Sequence, residues 1–192
     1  KIIKNIKVPL IGIHNIKNIT SAVAVAFSIG ISEKIIKKGL VEFKGVQRRF
    51  SFLFKYNNAI FIDDYAHHPT EINSVLEGVN KVYNKKEIIC VFQPHRISRV
   101  KSLKREFSKC FKKADTVILC PIYKANENLK LGFSYSSFAK LIIKNSKVKL
   151  ININNEIELK KLIKQTAYGE KIYIGMGAGS ISSWMRNLKN NI

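Results

Sequence analysis

The sequence has few cysteines, few acidic residues and no long apolar run. Cys90, Cys110 and Cys120 form no C-x-x-C pair, so we expect buried free thiols in a reducing compartment. No apolar stretch approaches the roughly 20 residues that span a bilayer. Residues 1–5 lack the apolar segment and cleavage site of a signal peptide. The absence of an initiating methionine predicts that the chain begins inside a longer protein.

The scarcity of acidic residues leaves a strongly basic chain. There are 34 Lys and Arg against 13 Asp and Glu, which gives a formal net charge of +21 and raises the alternative of nucleic-acid binding. Base stacking, however, needs exposed aromatics among the basic residues, and most phenylalanines here fall in apolar patterns typical of a core. Since the lysines are spread along the whole chain, we interpret the charge as a compositional bias. We expect anionic small-molecule substrates, with no nucleic-acid and no membrane partner.

The apolar pattern predicts an α/β fold. A length of 192 residues suits one α/β domain, or one domain plus a fragment of another. Short Val/Ile-rich runs alternate with helical patterns, which predicts a mostly parallel sheet with helices on both faces. Strands are predicted at residues 50–56, 59–63, 88–92, 116–119, 149–153 and 171–174. Helices are predicted at residues 70–83, 100–110, 136–145, 156–165 and 181–188.

Two helices are predicted before this region. The first is a buried helix over residues 21–29. The second begins after Ser32, which can cap it, and stops at Gly39. A boundary near residues 45–49 then separates these helices from the α/β domain. Beyond the boundary, Asn57-Asn58 between two strand-like runs predicts a tight hairpin, because asparagine accepts positive φ.

Polar clusters follow four of the predicted strands. They are DDYAHHPTE (63–71), QPHRISR (93–99), PIYKANE (121–127) and GMGAGS (175–180). The carboxyl ends of parallel strands share one rim, where ligands of such sheets bind. Structural demand alone would not concentrate His, Arg and Asp there, so the convergence predicts a site.

Two of these clusters allow other interpretations. Asp63, Asp64, His67 and His68 could suggest a metal site, but adjacent histidines do not easily point at one ion and no third ligand has recognisable spacing. A capped strand-to-helix loop with Pro69 early in the helix is the alternative. The glycine-rich cluster misses the third glycine of G-x-G-x-x-G, which favours a tight turn and argues against a dinucleotide dehydrogenase. We expect no metal site on this chain.

Four strings resemble successive motifs of the Mur ligases, in the family's order. They are IGIHNIKN (11–18), GVQRRF (45–50), DDYAHHPTE (63–71) and FQPHRISR (92–99). The third string is highly specific. It is shared by the family's L-alanine-adding branch and by the related branch that recycles murein tripeptide, and FQPHR favours the alanine-adding branch.

The resemblance implies an ATP-dependent ligase that joins L-alanine to UDP-N-acetylmuramate in cytoplasmic peptidoglycan synthesis. Residues 1–45 would be the C-terminal end of the central ATPase domain, and residues 46–192 the Rossmann-like C-terminal domain. The phosphate-cradling G-x-x-x-x-G-K-[ST] loop is absent from this chain, and Mg²⁺ ligands are expected mainly in the rest of the central domain. We therefore assign no catalytic residue and expect this chain alone to be inactive. The alternatives are the tripeptide-recycling ligase and a stand-alone nucleotide-binding module.

The resemblance also implies roles for individual residues. Nucleotide binding is implied for Asn15 and Asn18, Arg49 and Asp64. Contacts near the substrate, the incoming amino acid and the acyl intermediate are implied for Tyr65, His67, His95, Arg96 and Arg99. Guanidinium groups suit carboxylates, although arginines at a helix start can also be ordinary surface residues. Ile97 stands where relatives commonly have tyrosine.

Overall fold

The chain divides into two compact units, Lys1–Gln47 and Arg48–Ile192. The computed structural model describes residues 5–6, 8, 13–43, 45–127, 132–190 and 192. Ile11 and Gly12 of the first motif lie outside the described residues. In the part of the chain that is described, no helix combines the length and apolar character needed to cross a membrane.

The first unit contains two helices, α1 (Ile13–Ser28) and α2 (Glu33–Glu42). The predicted burial of α1 is wrong for this chain, because Val25, for example, is 61% exposed. The predicted stop at Gly39 is also wrong, since α2 continues to Glu42. A glycine inside a helix costs about 1 kcal/mol relative to alanine and does not by itself end the helix.

The second unit is a six-stranded sheet with helices on both faces, as predicted. Its strands are β1 (Ser51–Tyr56), β2 (Ala59–Asp64), β3 (Glu87–Phe92), β4 (Thr116–Leu119), β5 (Lys149–Asn152) and β6 (Lys171–Met176). Its helices are α3 (Pro69–Val82), α4 (Ile97–Ser102), α5 (Lys104–Phe107), α6 (Tyr135–Ser146), α7 (Glu156–Thr166) and α8 (Ile181–Leu188). The strand order is β1-β2-β6-β3-β4-β5, and every pair is parallel except the β1–β2 hairpin.

The two faces of the sheet carry separate apolar cores. Along β3, Cys90 and Phe92 pack with residues of α3 to α6, whereas Ile89 and Val91 pack with residues of α7 and α8. Successive side chains of a strand point to opposite faces, so a strand covered on both sides reads as a continuous apolar run. This is why β3 shows no alternation in the sequence.

Two local predictions had different outcomes. The hairpin turn is confirmed, with φ of 46° at Asn57 and 70° at Asn58. The single helix predicted over residues 100–110 is wrong, because Leu103, at φ −107° and ψ 25°, separates α4 from α5. The Ser102 hydroxyl donates to the Arg99 carbonyl (3.1 Å), and such a bond competes with the backbone bonds that would continue the helix.

All three cysteines are buried and unpaired, as the sequence predicts. Burial raises the pKa of each thiol above its ordinary value. A reactive thiolate is therefore disfavoured at every one of them, and the cysteines act as small core residues.

We expect Phe92→Ala to destabilise the second unit by about 3–5 kcal/mol, since Phe92 is fully buried and packs on Phe107 and Phe111. Phe52→Ala is the matched control, because Phe52 is 60% exposed on the edge strand and should cost less than about 1 kcal/mol. Urea unfolding followed by the fluorescence of Trp184, the single tryptophan, measures both. Equal midpoints for the two variants would contradict the assigned core.

Candidate functional site

β6 and β3 are neighbours in the sheet, and the segments that follow them lead to helices on opposite faces. This is the switch point of the sheet. β3 leads into α4 on one face, and β6 leads into α8 on the other. Open parallel sheets bind ligands beyond the carboxyl ends of the strands at such a switch point. Residues 93–99 and 177–180 follow these two strands, so they flank the place that the fold favours for a ligand.

Two aspartates end β2 with their side chains inside the protein. Asp64, 1% exposed, accepts hydrogen bonds from the backbone N–H groups of Phe50 (2.8 Å) and Ala66 (2.7 Å). Asp63 is fully buried and accepts from the Ser182 hydroxyl (2.5 Å) and the Arg186 guanidinium (3.4 Å). Both carboxylates are therefore hydrogen-bonded to other groups of the protein.

Arg48 and Arg49 begin the second unit and lie over the ring of Tyr65. The guanidinium carbon of Arg48 is 4.7 Å from the ring centroid, and that of Arg49 is 5.7 Å from it. Arg48 also donates to the carbonyl of Gly177 (2.6 Å), which ties the start of the unit to the glycine-rich turn. Because Arg49 is exposed and Arg48 is half-buried, Arg49 is the more accessible charge.

The loop that carries the two adjacent histidines is fastened to the first turn of α3. The Glu71 carboxylate accepts from the backbone N–H groups of His67 (3.0 Å) and His68 (3.2 Å), and His68 Nδ1 accepts from the N–H of Thr70 (3.3 Å). Burial opposes ionisation of Glu71, but these donors and the charge of His67 outweigh it and lower its pKa. The capped loop with Pro69 first in the helix is confirmed.

Four rings form a row along the rim of the sheet. Centroids are 5.1 Å apart from Tyr65 to His67, 6.0 Å from His67 to His95, and 5.4 Å from His95 to Tyr123. The two imidazoles come from β2 and β3, which are separated in the sheet by β6. β6 ends in the glycine-rich turn, so few side chains separate the rings. The fold thus brings together two histidines that are 28 positions apart.

Hydrogen bonds assign the tautomer of each neutral imidazole. His67 Nδ1 lies 2.9 Å from the carbonyl of Tyr65, which only accepts, so Nδ1 carries the proton and Nε2 is the acceptor. His95 Nδ1 lies 3.4 Å from Arg99 Nη1, which only donates, so the proton sits on Nε2. The pair therefore offers one acceptor nitrogen and one donor nitrogen.

Burial and nearby positive charges keep the imidazole of His95 neutral. Partial burial lowers the pKa of His95 below its ordinary value, and the positive charges of Arg99 and Arg96, together with His67 when it is protonated, lower it further. Glu127 acts in the opposite direction but does not reverse the shift. Near neutral pH the ring can therefore donate a hydrogen bond without adding a full charge.

Arg96 and Arg99 hold different positions on the same loop. Arg96 precedes α4 at φ 66°, and its side chain is exposed. Arg99, one turn later, is half-buried and turns back to His95. Of the two guanidinium groups, that of Arg99 is fixed by a described partner.

The glycine-rich segment is a tight turn, as predicted. An added Cβ at Gly177, where φ is 151°, would lie 2.7 Å from the carbonyl oxygen of Gln93. Gln93 in turn accepts from the N–H of Ile181 (3.0 Å) and donates to the Ser180 hydroxyl (3.0 Å). This side chain locks the turn against the end of β3.

A cavity of about 320 Å³ lies toward β4 and β5, away from the switch point. Its walls are Ile97, Pro121, Ile122, Lys124, Phe133, Tyr135, Ile153 and Asn154. None of the residues predicted to bind nucleotide or substrate lines it. Ile97, the departure from the family pattern, forms part of this wall.

Asn15 and Asn18 belong to the first unit, on α1. Asn15 is buried and Asn18 is exposed. The remaining predicted site residues lie in the second unit, and the structure gathers Arg49, Tyr65, His67, His95 and Arg99 into one connected set of contacts. Among the described ranges no three His, Cys, Asp or Glu side chains are grouped as metal ligands.

Sequence reasoning missed the partner of His95. Tyr123 stacks on the imidazole with an angle of 11° between the rings. The sequence indicates part of this contact, because the segment around Tyr123 follows β4, which pairs with β3. The pairing of Phe92 with Leu119 places the two loops side by side, but this register cannot be read from composition.

Comparisons with known proteins agree on one family. The profile described as "Mur ligase, glutamate ligase domain" matches residues 48–179. The chain is 63% identical over 97% of its length to UDP-N-acetylmuramate–L-alanine ligase of Pelagibacter ubique, of which it covers 40%. It is 40% identical, over its whole length, to the protein of the same name from Rickettsia conorii, again covering 40%.

Solved structures agree on the fold. The UDP-N-acetylmuramate–alanine ligase of Thermotoga maritima superposes with a TM-score of 0.77 at 28% identity, over 96% of this chain and 39% of that one. A murein peptide ligase of Psychrobacter arcticus, at 21% identity, has a TM-score of 0.70 and covers 97% of this chain and 38% of that one. At that identity the second likeness concerns the fold alone.

The fold and the site define a doubly wound α/β domain with imidazole and guanidinium groups at its switch point. The chain belongs to the Mur ligase family. It spans about 40% of the length of the curated relatives it matches.

We expect Arg99→Ala to raise the pKa of His95. Burial is the largest cause of the low pKa of His95. The Arg99 guanidinium lowers this pKa further, because a positive neighbour disfavours the imidazolium. NMR titration of the histidine ring signals in wild type and variant measures the shift. Arg105→Ala, an exposed arginine on α5, is the control and should leave the titration unchanged. An identical His95 midpoint in wild type and Arg99→Ala would reject the described contact.

Proposed function

We propose that the chain is the C-terminal part of a cytoplasmic UDP-N-acetylmuramate–L-alanine ligase. The observation that carries this proposal is the convergence of His67, His95 and Arg99 beside the switch point of the sheet. These side chains come from the two motifs that the alanine-adding branch of the family would require. Identity of 63% to a ligase of that name supports the same conclusion.

Residues 1–45 are, in this proposal, the end of the central ATPase domain. Among the described residues of this part, only Asn15 and Ile36 are buried. Apolar side chains such as Val25, Ile29 and Ile35 are 61–71% exposed. Exposed apolar surface of this extent is typical of a face that another part of the protein covers, and the remaining length of the relatives would supply it.

Nucleotide binding is assigned to Asn15 and Asn18 in the first unit, and to Arg49 and Asp64 in the second. Amide side chains offer both donor and acceptor, as an adenine edge requires. Arg49 is exposed and suits a phosphate or the nucleotide as a whole. Asp64 already accepts two backbone N–H groups, but a carboxylate has further lone pairs, so a ribose hydroxyl is a compatible additional donor.

The amino-acid side is assigned to Tyr65, His67, His95, Arg96 and Arg99. Nε2 of a neutral His67 is an acceptor that fits the amine of L-alanine. The guanidinium groups fit its carboxylate, with Arg99 fixed in place and Arg96 exposed at the rim. The neutral imidazole of His95 adds a donor without repelling these cations.

In the proposed reaction, the γ-phosphoryl group of ATP is transferred to the muramate carboxylate and ADP leaves. The amine of L-alanine then attacks the carbonyl carbon of the acyl phosphate, the C–O bond to phosphate breaks, and the amine loses a proton. The contribution of this chain is positioning and neutralisation of charge. Mg²⁺, when bound, neutralises phosphate charge. Asp63 is fully buried and bonded to Ser182 and Arg186, and among the described residues no three His, Cys, Asp or Glu side chains form a group that could hold a metal ion. We assign its ligands to the central domain.

A tripeptide-recycling ligase is the second candidate, because DDYAHHPTE occurs in that branch too and its fold is similar. The two candidates differ in the incoming group, which is a free amino acid in one case and a tripeptide in the other. Comparing L-alanine with the tripeptide as acceptor of the activated carboxylate therefore separates them. A stand-alone nucleotide-binding module would bind ATP without either.

We expect the complete ligase that carries this chain to release phosphate from ATP only when UDP-N-acetylmuramate and L-alanine are both present. The 192-residue chain alone should release none, because its sequence contains no phosphate-cradling loop. Phosphate release assays on both proteins measure this. Turnover by the complete ligase with tripeptide but not with L-alanine would overturn the assignment of L-alanine as substrate. Turnover by the 192-residue chain alone would contradict the proposal that catalysis needs the rest of the ligase.

In the complete ligase, Arg96→Ala and Arg99→Ala should raise the KM for L-alanine more than the KM for ATP. Loss of a charge-assisted hydrogen bond is worth about 1.5–3 kcal/mol, or roughly 10- to 100-fold in affinity. Steady-state kinetics with each substrate varied in turn measure the effect, with Arg105→Ala as control. A rise confined to ATP would move the loop to the nucleotide side, and no rise for a folded variant would remove it from the site.

A further inference from the structure

The segment that follows β4, residues 121–127, contains none of the residues assigned above, yet it lies along the loop that carries His95 and Arg96. The N–H of Tyr123 donates to the carbonyl of Pro94 (2.8 Å), and the carbonyl of Tyr123 accepts from the N–H of Arg96 (2.9 Å). These two bonds form a short parallel bridge between His95 and Tyr123. The backbone on both sides of His95 is thereby held by one residue.

The side chain of Tyr123 holds the same histidine. Its ring lies against the imidazole of His95 at 5.4 Å between centroids and 11° between planes. Behind the tyrosine is Gly179, where an added Cβ would lie 2.5 Å from Tyr123 Cγ. The tyrosine ring is therefore packed between a glycine backbone and the imidazole, and Gly179 is the residue that gives it room.

Arg96 is fixed from its other side by Glu127. The Glu127 carboxylate accepts from the backbone N–H of Ser98 (2.9 Å) and from the Ser98 hydroxyl. Arg96 has φ 66° and ψ 126°, a positive-φ conformation that residues with a Cβ rarely adopt. Such a conformation persists only where neighbours impose it, and here Tyr123 and Glu127 bond to the backbone on its two flanks.

We propose that Tyr123, assisted by Glu127, is a positioning residue that holds His95 and Arg96 in the geometry needed for the amino-acid substrate. This proposal rests on the proposed function for the identity of the substrate, but not for the contact itself. Tyr123 acts through its ring and backbone rather than through its hydroxyl. Phenylalanine at position 123 should therefore preserve the positioning role, whereas an aliphatic residue there should not.

The first experiment monitors the surroundings of the His95 ring by NMR and requires no enzymatic activity. Ring signals of His95 are followed by NMR in the 192-residue chain as wild type, Tyr123→Phe and Tyr123→Leu. The groups that face this imidazole are Arg99, His67, Arg96 and Glu127, and all are retained in these variants. We expect wild-type signals for phenylalanine. For leucine we expect shifted signals and a higher titration midpoint, because the ring that shields the imidazole is lost.

Tyr168→Leu is the matched control, since Tyr168 is a 57% exposed tyrosine between α7 and β6. It should leave the His95 signals unchanged. Unchanged His95 signals in a folded Tyr123→Leu chain would overturn the proposal. If that variant fails to fold, as judged by Trp184 fluorescence, Glu127→Gln replaces it, because this exposed change keeps the shape and removes the charge. Its predicted result is a shift of the Ser98 amide signal together with the His95 ring signals, and unchanged His95 signals would overturn the proposal.

The second experiment measures kinetics in the complete ligase. Ring stacking is worth about 0.5–1.5 kcal/mol, so Tyr123→Leu should raise the KM for L-alanine roughly 2- to 10-fold and leave the KM for ATP unchanged. Tyr123→Phe should restore the wild-type value. Equal losses for phenylalanine and leucine would mean that the hydroxyl itself contacts the substrate, which rejects a positioning role. A wild-type ligase that ignores L-alanine would overturn the proposed function, while the NMR result would still decide the contact.

Discussion

At the carboxyl end of β2, the Asp64 carboxylate accepts hydrogen bonds from the N–H groups of Phe50 and Ala66, and the rim of the sheet depends on this arrangement. One bond fixes the entry of the chain into the second unit, and the other fixes the loop that carries His67. Next to it, Asp63 is fully buried, 4.0 Å from Arg48 Nε. Removing a single partner of a buried charge leaves the other uncompensated, which costs about 3–5 kcal/mol. Loss of one of these charged partners would therefore destabilise the conformation of the rim.

The same rim concentrates positive charge without making every group a cation. Arg49, Arg96 and Arg99 keep their charge at any physiological pH. Burial, together with Arg99 and Arg96, lowers the pKa of His95, so this ring stays neutral and donates through Nε2. A site built in this way combines fixed positive charge with an uncharged hydrogen-bond donor.

Much of the fold could be predicted from the sequence, because strands covered on both faces read as apolar runs and Asn57-Asn58 marks the hairpin. The errors occurred where a local preference was weak. Gly39 was taken as a helix stop although glycine only lowers helix stability, and Leu103 interrupts a helix that its own propensity favours. In the site, the motifs located His95, but its contact with Tyr123 depends on strand register. Register is set by tertiary packing, so neither residue type nor spacing could reveal it.

Backbone strain at the rim falls within the two arginine-containing segments, residues 48–50 and 96–99. Arg48, Phe50 and Arg96 all have positive φ, at 59°, 51° and 66°, although none is glycine or asparagine. Each of them is held by a specific bond: Arg48 through Tyr65, Phe50 through Asp64, and Arg96 through Tyr123. Conformations of this kind cost of order 1–3 kcal/mol each and persist when surrounding contacts impose them. Because this cost is met during folding, the backbone of these segments needs less ordering when a ligand binds. A rim held in this way is suited to positioning a bound ligand.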